Sequence, residues 1–458
     1  MPVLDLPWKR VHMVGLGGAG MSAIARVLTQ AGVSVSGSDV RESTVLTDLR
    51  AIGVQAFVGH RARQAEGADL LILSNAVSPS NPEVELARSS GTPILWRGEA
   101  LAQIVAPMRT VAVSGTHGKT TTSGMVATVL MTAGLDPTYL VGADLAGRGS
   151  GGHLGSGEVA VVEADEAYRS FLWLKPAISV VTNIDRDHVD HYDSWEALQE
   201  AFSSFMACSS EAVVVCADHP RAVEVAAPYR ARTYGFHPDA DVRAEGLESG
   251  PRGSEFRLFV GGEDRGPVRL QVSGRHNVQN ALGAAAACLE LGLEVPAVAA
   301  GLAAFGGVSR RFEFRGRFEG ADLVDDYAHH PAEIDATLSA ARWGPWKRVV
   351  AVFQPHLYSR TQALWREFGA SLAAADVVVV TDVYGAREDP VPGITGKLIV
   401  ESVCEAAPGR KVAYLPKLND AARYVRAEVR PGDLILTLGA GDITTLHDRL
   451  AGGLPGEW

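Results

Sequence analysis

The residues with the clearest chemistry lie between positions 114 and 122, where the chain reads Ser-Gly-Thr-His-Gly-Lys-Thr-Thr-Thr. A glycine-bearing turn ending in a lysine and a hydroxyl residue is suited to a nucleoside triphosphate. Backbone N–H groups can wrap the phosphates, Lys119 can reach the terminal ones, and Thr120 can place its hydroxyl on Mg²⁺. The usual phosphate loop reads G-x-x-x-x-G-K-[ST], but the position due for its first glycine, 113, holds valine, so this loop is shorter. Further along, Glu163-Ala164-Asp165-Glu166 offers carboxylates for a nucleotide-bound cation. His188, in the run Asn183 to Tyr192, offers an imidazole whose free nitrogen can accept a metal.

A second constellation lies near the start. Gly15, Gly17 and Gly20 satisfy G-x-G-x-x-G, and with Gly18, Ala19, Met21 and Ser22 they make a turn whose amides can approach a diphosphate. Ser38 and Asp39 end the next strand, at the distance expected of a ribose-binding acid. Ser74, Asn75 and Ala76 end the one after that and can line the same crevice. On its own this pattern fits an NAD dehydrogenase as well as any other diphosphate-bearing nucleotide, and a tight turn with no ligand is the bland alternative.

Both turns need a strand before them and a helix after them, and the chain supplies these. β-branched runs alternate with alanine-rich helical stretches, which predicts an α/β fold of parallel sheets covered by helices. Three units are expected: residues 1–107, with strands VHMVGL, VSVSGSD and DLLILSNA; 108–311, with TVAVSG, EVAVVEAD, ISVVTNID and EAVVVCAD; and 312–458, with RVVAVFQP, DVVVVTDVY and DLILTLGAG. Residues 231–275, rich in glycine and more strictly alternating, predict antiparallel strands on one edge of the second unit.

Composition narrows the partners. A chain of 458 residues exceeds the ~250–300 that one core usually serves, which agrees with several domains. The formal charge of -11 argues against a broad nucleic-acid or anionic-lipid footprint and for a small substrate. Cys208, Cys216, Cys288 and Cys404 have no paired metal spacing and are too few for a disulfide scaffold, which suits a reducing cytoplasm. With no signal-like start and no run of about 18 apolar residues, neither secretion nor membrane spanning is expected.

The shortened loop resembles that of the Mur ligases and their folate-polyglutamating relatives, G-T-x-G-K-[ST], and the likeness extends along nearly the whole chain. Gly274 to Asn280 resembles G-x-H-N-x-x-N, Phe305 to Glu313 resembles F-x-G-x-x-R-R-F-[DE], and Asp325 to Glu333 resembles D-D-Y-x-H-H-P-x-E. The resemblance implies a three-domain architecture: a Rossmann-like N-terminal domain, a P-loop central ATPase domain and a Rossmann-like C-terminal domain. It implies that Gly115, Thr116, His117, Gly118, Lys119, Thr120, Thr121, Asn277, Asn280, Arg310, Arg311 and Asp326 serve ATP, and that Thr120, Glu163 and His188 serve Mg²⁺ or Mn²⁺. Lys119, Glu163 and His188 are then the catalytic set, and the first glycine turn holds a UDP-sugar rather than NAD. Tyr327, His329 and Arg360 fall in the amino-acid pocket.

The branch of the family it resembles joins L-alanine to the lactyl carboxylate of UDP-N-acetylmuramate through an acyl phosphate, acting as a cytoplasmic monomer or homodimer. Several sibling branches bridge a second Mg²⁺ with a carbamylated lysine in the central domain. No lysine occurs here between Lys175 and Lys347. The chain departs from the branch at Ala167-Tyr168-Arg169, where Ser-Asp commonly follows EADE, at Leu357, where many members have arginine, and at Ala143, where a second glycine is usual. Rival activities are reattachment of a recovered tripeptide to UDP-N-acetylmuramate, an NAD dehydrogenase, and an ATP-gated sensor of UDP-sugars.

Overall fold

The computed structural model describes Leu4 and residues 6–185, 192–250, 253–386 and 388–452. The chain packs as two compact units, one running to Val308 and the other from Ser309 onward, with short segments near Ser249 and Ser273 joining the second.

The first unit contains two sheets. The first is built from β1 (Arg10–Val14), β2 (Ser34–Asp39), β3 (Gln55–Val58), β4 (Leu70–Leu73) and β5 (Ile94–Trp96), in the order β3-β2-β1-β4-β5 and parallel throughout. The order reverses at β1, so a crevice opens at the carboxyl ends of its neighbours. Val14 stands opposite both Ser38 and Leu73, which brings Gly15, Asp39 and Ser74 to one end of the sheet.

The second sheet is built from β6 (Arg109–Ser114), β7 (Thr138–Leu140), β8 (Gly152–His153), β9 (Val159–Glu163), β10 (Ile178–Val181), β11 (Ala212–Cys216), β12 (Ala231–Gly235), β13 (Val242–Gly250), β14 (Gly253–Val260) and β15 (Glu263–Leu270). Their order is β15-β14-β13-β12-β11-β10-β6-β9-β7-β8. Val113 faces Glu163 on one side and Ser114 faces Val181 on the other, so the phosphate-loop sequence, the first acid of EADE and Thr182 share one sheet end. The helix Lys119–Thr132 leaves that end and is buried on every side from Thr120 to Leu130. Such burial suits its run of small and apolar residues. The helix Val295–Ala303 crosses it closely, since a Cβ on Gly301 would lie 2.4 Å from the Val129 Cα.

The glycine-rich stretch departs from expectation in part. β14 and β15 do pair antiparallel, but β12 lies parallel to β11 and β13 parallel to β12. The helix Pro220–Ala226 between β11 and β12 makes the crossover that a parallel neighbour requires.

The first two sheets share a continuous core. Leu101 and Ile104 of the helix Arg97–Val105 belong to the same apolar cluster as Phe171 and Phe202. A Cβ on Gly98 would come within 2.9 Å of the Ser170 Cβ, so that helix lies directly on the 3₁₀ segment Ala167–Trp173.

The second unit holds β16 (Glu313–Phe318), β17 (Ala321–Asp326), β18 (Arg348–Phe353), β19 (Val377–Val380), β20 (Lys411–Tyr414) and β21 (Asp433–Leu438), in the order β16-β17-β21-β18-β19-β20. β16 and β17 form an antiparallel hairpin, and the remaining pairs are parallel. Leu438 stands opposite both Asp326 and Phe353, which sets the chemistry-bearing end of this sheet.

Candidate active site

The loop after β6 is clamped from the end of β10. The Asn183 side chain takes both backbone polar groups of His117, accepting from its backbone N–H at 2.8 Å and donating to its carbonyl at 3.0 Å. Thr182 donates to the same carbonyl at 2.6 Å, and the Thr116 hydroxyl accepts from the Asp185 N–H at 2.9 Å. Asn183, which opens the histidine motif, therefore shapes the loop. Gly118 stands at φ +83° immediately before the helix, and a Cβ there would lie 2.5 Å from Asn280 Oδ1. No side chain caps the helix at this end. Its first amides are then available to an anion, as the sequence predicts. Asn277 and Asn280, three residues apart on the helix Arg275–Glu290, are both about nine-tenths buried.

Lys119 is folded back against its own loop and held by an acid. Its Nζ donates to the Gly115 carbonyl at 2.7 Å, the Thr116 carbonyl at 3.2 Å, and both Glu166 oxygens at 3.0 and 2.8 Å. Burial alone would favour the neutral amine, but Glu166, Asp165 and Glu163 outweigh it and hold the ammonium well above its usual range. Glu166 is the functional residue that sequence reasoning passed over, although EADE contains it. Its pairing with Lys119 spans 47 positions and is a product of the fold.

Glu163 ends β9 half-buried, and its carboxylate accepts from the Gly142 N–H at 2.8 Å. Thr120 and Thr121 are buried at the helix start. The hydroxyls of Ser114, Thr122 and Ser123 nearby are buried without a hydrogen-bond partner. His188 and Asp187 lie outside the described residues. Among the described residues no group of three or more His, Cys, Asp or Glu side chains is gathered for a metal. What Thr120 and Glu163 supply is a hydroxyl and a carboxylate, hard oxygens that suit Mg²⁺ or Mn²⁺ held mainly through substrate phosphates.

The first glycine turn is held by the residues expected to hold a ligand. Asp39 accepts the Gly17 N–H at 2.9 Å through one oxygen, so this carboxylate braces the turn. Ser38 is fully buried, and its hydroxyl donates to Glu83 at 2.6 Å and meets His60 Nδ1 at 2.8 Å. Only its carbonyl serves the turn, accepting from the Gly15 and Leu16 N–H groups at 2.9 and 3.0 Å. Gly15 stands at φ +83° with its missing Cβ 2.7 Å from the Ser74 Cβ, which explains both glycine and the closeness of Ser74. Met21 points into the core, and Ser22 donates to the Ala19 carbonyl at 2.9 Å. What the turn presents is mostly backbone, with no side chain capping the helix Ala19–Gln30. Asn75 and Ala76 follow Ser74 near the surface, and the Ala76 N–H donates to the Ser74 hydroxyl at 3.4 Å.

In the second unit, Arg310 adopts φ +58° and is pinned through its own side chain: Nε to Asp325 at 3.1 Å and Nη2 to the Gly439 carbonyl at 2.6 Å. The guanidinium groups of Arg310 and Arg311 lie over the Tyr327 ring at 4.9 and 5.3 Å. Asp326 accepts the Phe312 and Ala328 N–H groups at 2.8 Å each. Burial pushes its carboxyl up to about 6, against the opposing pull of Arg311 and those two bonds. His329 Nδ1 meets the Tyr327 carbonyl at 2.9 Å and packs edge-on to His356, which lies 3.5 Å from Arg360. The three residues expected at an amino-acid pocket thus share one cluster.

Family models match the chain in three consecutive stretches: the Mur ligase family catalytic domain over residues 10–109, the Mur ligase middle domain over 113–288, and the Mur ligase glutamate ligase domain over 310–441. This chain belongs to the Mur ligase family. Among similar proteins, the UDP-N-acetylmuramate–L-alanine ligase of Rubrobacter xylanophilus is 46% identical, with 96% of this chain and 99% of the relative covered. That of Kineococcus radiotolerans is 48% identical, with 95% and 94% covered. The crystal structure of the UDP-N-acetylmuramate–alanine ligase of Thermotoga maritima matches with a TM-score of 0.84 at 30% identity, covering 96% of this chain and 98% of that one. A murein peptide ligase from Psychrobacter arcticus shares the fold, with a TM-score of 0.74 at 24% identity, covering 97% and 99%.

Two departures from the Mur ligase pattern acquire a structural setting. Tyr168 and Arg169 both stand at φ +55°, and the Arg169 guanidinium lies 5.2 Å from the centre of the Tyr192 ring. Leu357, at φ +70°, is buried just before the helix Tyr358–Leu372. In this Mur ligase Arg360, one turn further on, carries the positive charge near His356.

Proposed function

We propose that this Mur ligase joins L-alanine to the lactyl carboxylate of UDP-N-acetylmuramate, with ATP converted to ADP and phosphate. The observation that carries this is near-full-length identity of 46–48% to ligases of that name. The phosphate loop with its charged, acid-held Lys119 supports it independently. A carboxylate is a poor electrophile, so an amide forms at neutral pH only after one of its oxygens has become a leaving group. The lactyl carboxylate attacks the γ-phosphorus in line, ADP departs, and an acyl phosphate remains. The L-alanine amine then adds to the acyl carbon and phosphate leaves.

Lys119 and the first amides of its helix neutralise the transferring phosphoryl group, which is where preorganised charge contributes most. Thr120 and Glu163, with His188, would hold Mg²⁺ or Mn²⁺, which supplies further charge neutralisation at the β- and γ-phosphates. The glycine turn of Gly15 to Ser22 is assigned to the UDP-sugar, and Asn277 and Asn280 to the adenine region. In the second unit Arg310, Arg311 and Asp326 are assigned to ATP, and Tyr327, His329 and Arg360 to the amino acid. The corresponding domains are residues 1–107, 108–311 and 312–458. A cytoplasmic setting fits four free cysteines, two of them exposed, and described residues that contain no helix long and apolar enough to cross a membrane.

The test is ADP release with each component omitted in turn. Repeated turnover, with ADP in large excess over enzyme, should occur only when ATP, UDP-N-acetylmuramate and L-alanine are all present. Release with the tripeptide but not with L-alanine would replace the proposed acceptor, and NADH binding at the first turn would replace its ligand.

A further inference from the structure

Arg97 opens the helix that follows the last strand of the first sheet, and its guanidinium stands over the glycine turn. A Cβ on Gly20 would lie 2.6 Å from its Nη1 and 3.2 Å from its Cδ. Its Nη2 donates to Asp165 at 3.2 Å, at the end of the second sheet. Both partners are fixed by their backbones. Gly98 is pressed against Ser170, the Ser170 hydroxyl donates to the Asp165 carbonyl at 2.7 Å, and the other Asp165 oxygen accepts from the Ala167 N–H at 3.2 Å. The arginine side chain keeps 21% of its surface exposed, so it borders solvent while its position is set from below.

The turn beneath it presents backbone amides and no side-chain cation of its own, since Gly15 to Ser22 contains no charged residue. Amides orient a diphosphate, but they leave most of its charge unmatched. A guanidinium is always protonated and meets phosphate oxygens through two parallel N–H bonds. We propose that Arg97 is a specificity-determining contact for the diphosphate of the nucleotide bound at Gly15 to Ser22, and that Asp165 is its positioning residue. This rests on the assignment of that turn to the UDP-sugar. It also makes the first binding site dependent on the second sheet, because Asp165 belongs to the same EADE run that supplies Glu163 and Glu166.

The test is titration of the full chain with UDP, with uridine and with ATP. Arg97→Gln should weaken UDP about 10- to 100-fold, the range for losing a hydrogen-bonded charge pair, with uridine and ATP affinities unchanged. Arg97→Lys should recover part of the loss, since it restores the charge without the planar fork. Asp165→Asn should fall between Arg97→Gln and the unaltered chain. Gly20→Ala, which displaces the guanidinium, should add less to Arg97→Gln than it costs alone. UDP binding unaltered in Arg97→Gln would overturn the proposal, as would equal weakening of uridine or of ATP, which marks a bridge that only supports the fold. If Arg97→Gln does not fold, Arg97→Lys and Asp165→Asn decide the matter by the same comparison. The readout is binding alone, so failure of the ligase assignment is seen separately, as absent ADP release by the unaltered chain.

Discussion

Lys119 Nζ and the Glu166 carboxylate form a buried ion pair at 2.8 Å, with only 11% and 2% of their side chains exposed. Removing one member of such a pair strands the other, which typically costs about 3–5 kcal/mol. Lys119→Ala should therefore lower ADP formation at least ~10²–10³-fold and also lower the unfolding midpoint. The double variant Lys119→Ala, Glu166→Gln should regain stability and stay inactive. Denaturation and ADP release measured on both variants separate the two effects, and a double variant that recovers turnover would remove Lys119 from the chemistry.

Asn183 grips both backbone polar groups of His117, so Asn183→Ala should loosen the phosphate loop while leaving the sugar-nucleotide turn intact. Two lost hydrogen bonds at about 1 kcal/mol each correspond to roughly tenfold or more in KM for ATP. KM for UDP-N-acetylmuramate should stay unchanged. Steady-state kinetics with each substrate varied in turn checks this.

What could be read from the sequence and what could not divide along physical lines. The strand–loop–helix around Lys119 is a local pattern, and β6, the loop and the helix occur where glycine, lysine and threonine predict them. The apolar runs of β1, β4, β18 and β19 are likewise local and became buried parallel strands. The partners were not legible. Glu166 meets Lys119 across 47 residues and Arg97 meets Asp165 across 68, distances that only the parallel crossovers close. Spacing places Asp39 where a ribose-binding acid is expected, but that its carboxylate also braces the turn through the Gly17 N–H, and that Ser38 turns its hydroxyl to Glu83, are products of the fold. The direction of β12 was missed because a short crossover helix, Pro220–Ala226, outweighs glycine-rich alternation.

Gly15→Ala should damage the sugar-nucleotide turn through its backbone. The added Cβ would lie 2.7 Å from the Ser74 Cβ at a residue with φ +83°, and such a conformation alone costs an L-residue about 1–2 kcal/mol. UDP affinity should fall and the unfolding midpoint should drop, while ATP affinity is retained. Titration with the two nucleotides and a thermal melt check this.

His447 sets an acid limit on the second unit. It is buried beside Thr437, which contacts its Nε2 at 2.7 Å and donates to Asp325 at 2.6 Å. Burial lowers the imidazole to about 4, against the pull of Asp325 and with the help of Arg315. A histidine depressed in the fold contributes stability that is present above its ordinary value near 6.5 and is lost as pH falls towards 4. Denaturant unfolding should therefore show a stability loss across that window, and His447→Gln should flatten it by about 3 kcal/mol. A slope identical in the variant would remove His447 as its source.

In the proposed mechanism the lactyl oxygen itself becomes bonded to phosphorus. UDP-N-acetylmuramate labelled with ¹⁸O in its carboxylate, turned over with ATP and L-alanine, should release phosphate carrying one labelled oxygen, detectable by mass spectrometry or by the isotope shift in ³¹P spectra. Phosphate free of label, with both labelled oxygens accounted for outside it, would contradict the acyl phosphate and the mechanism built on it.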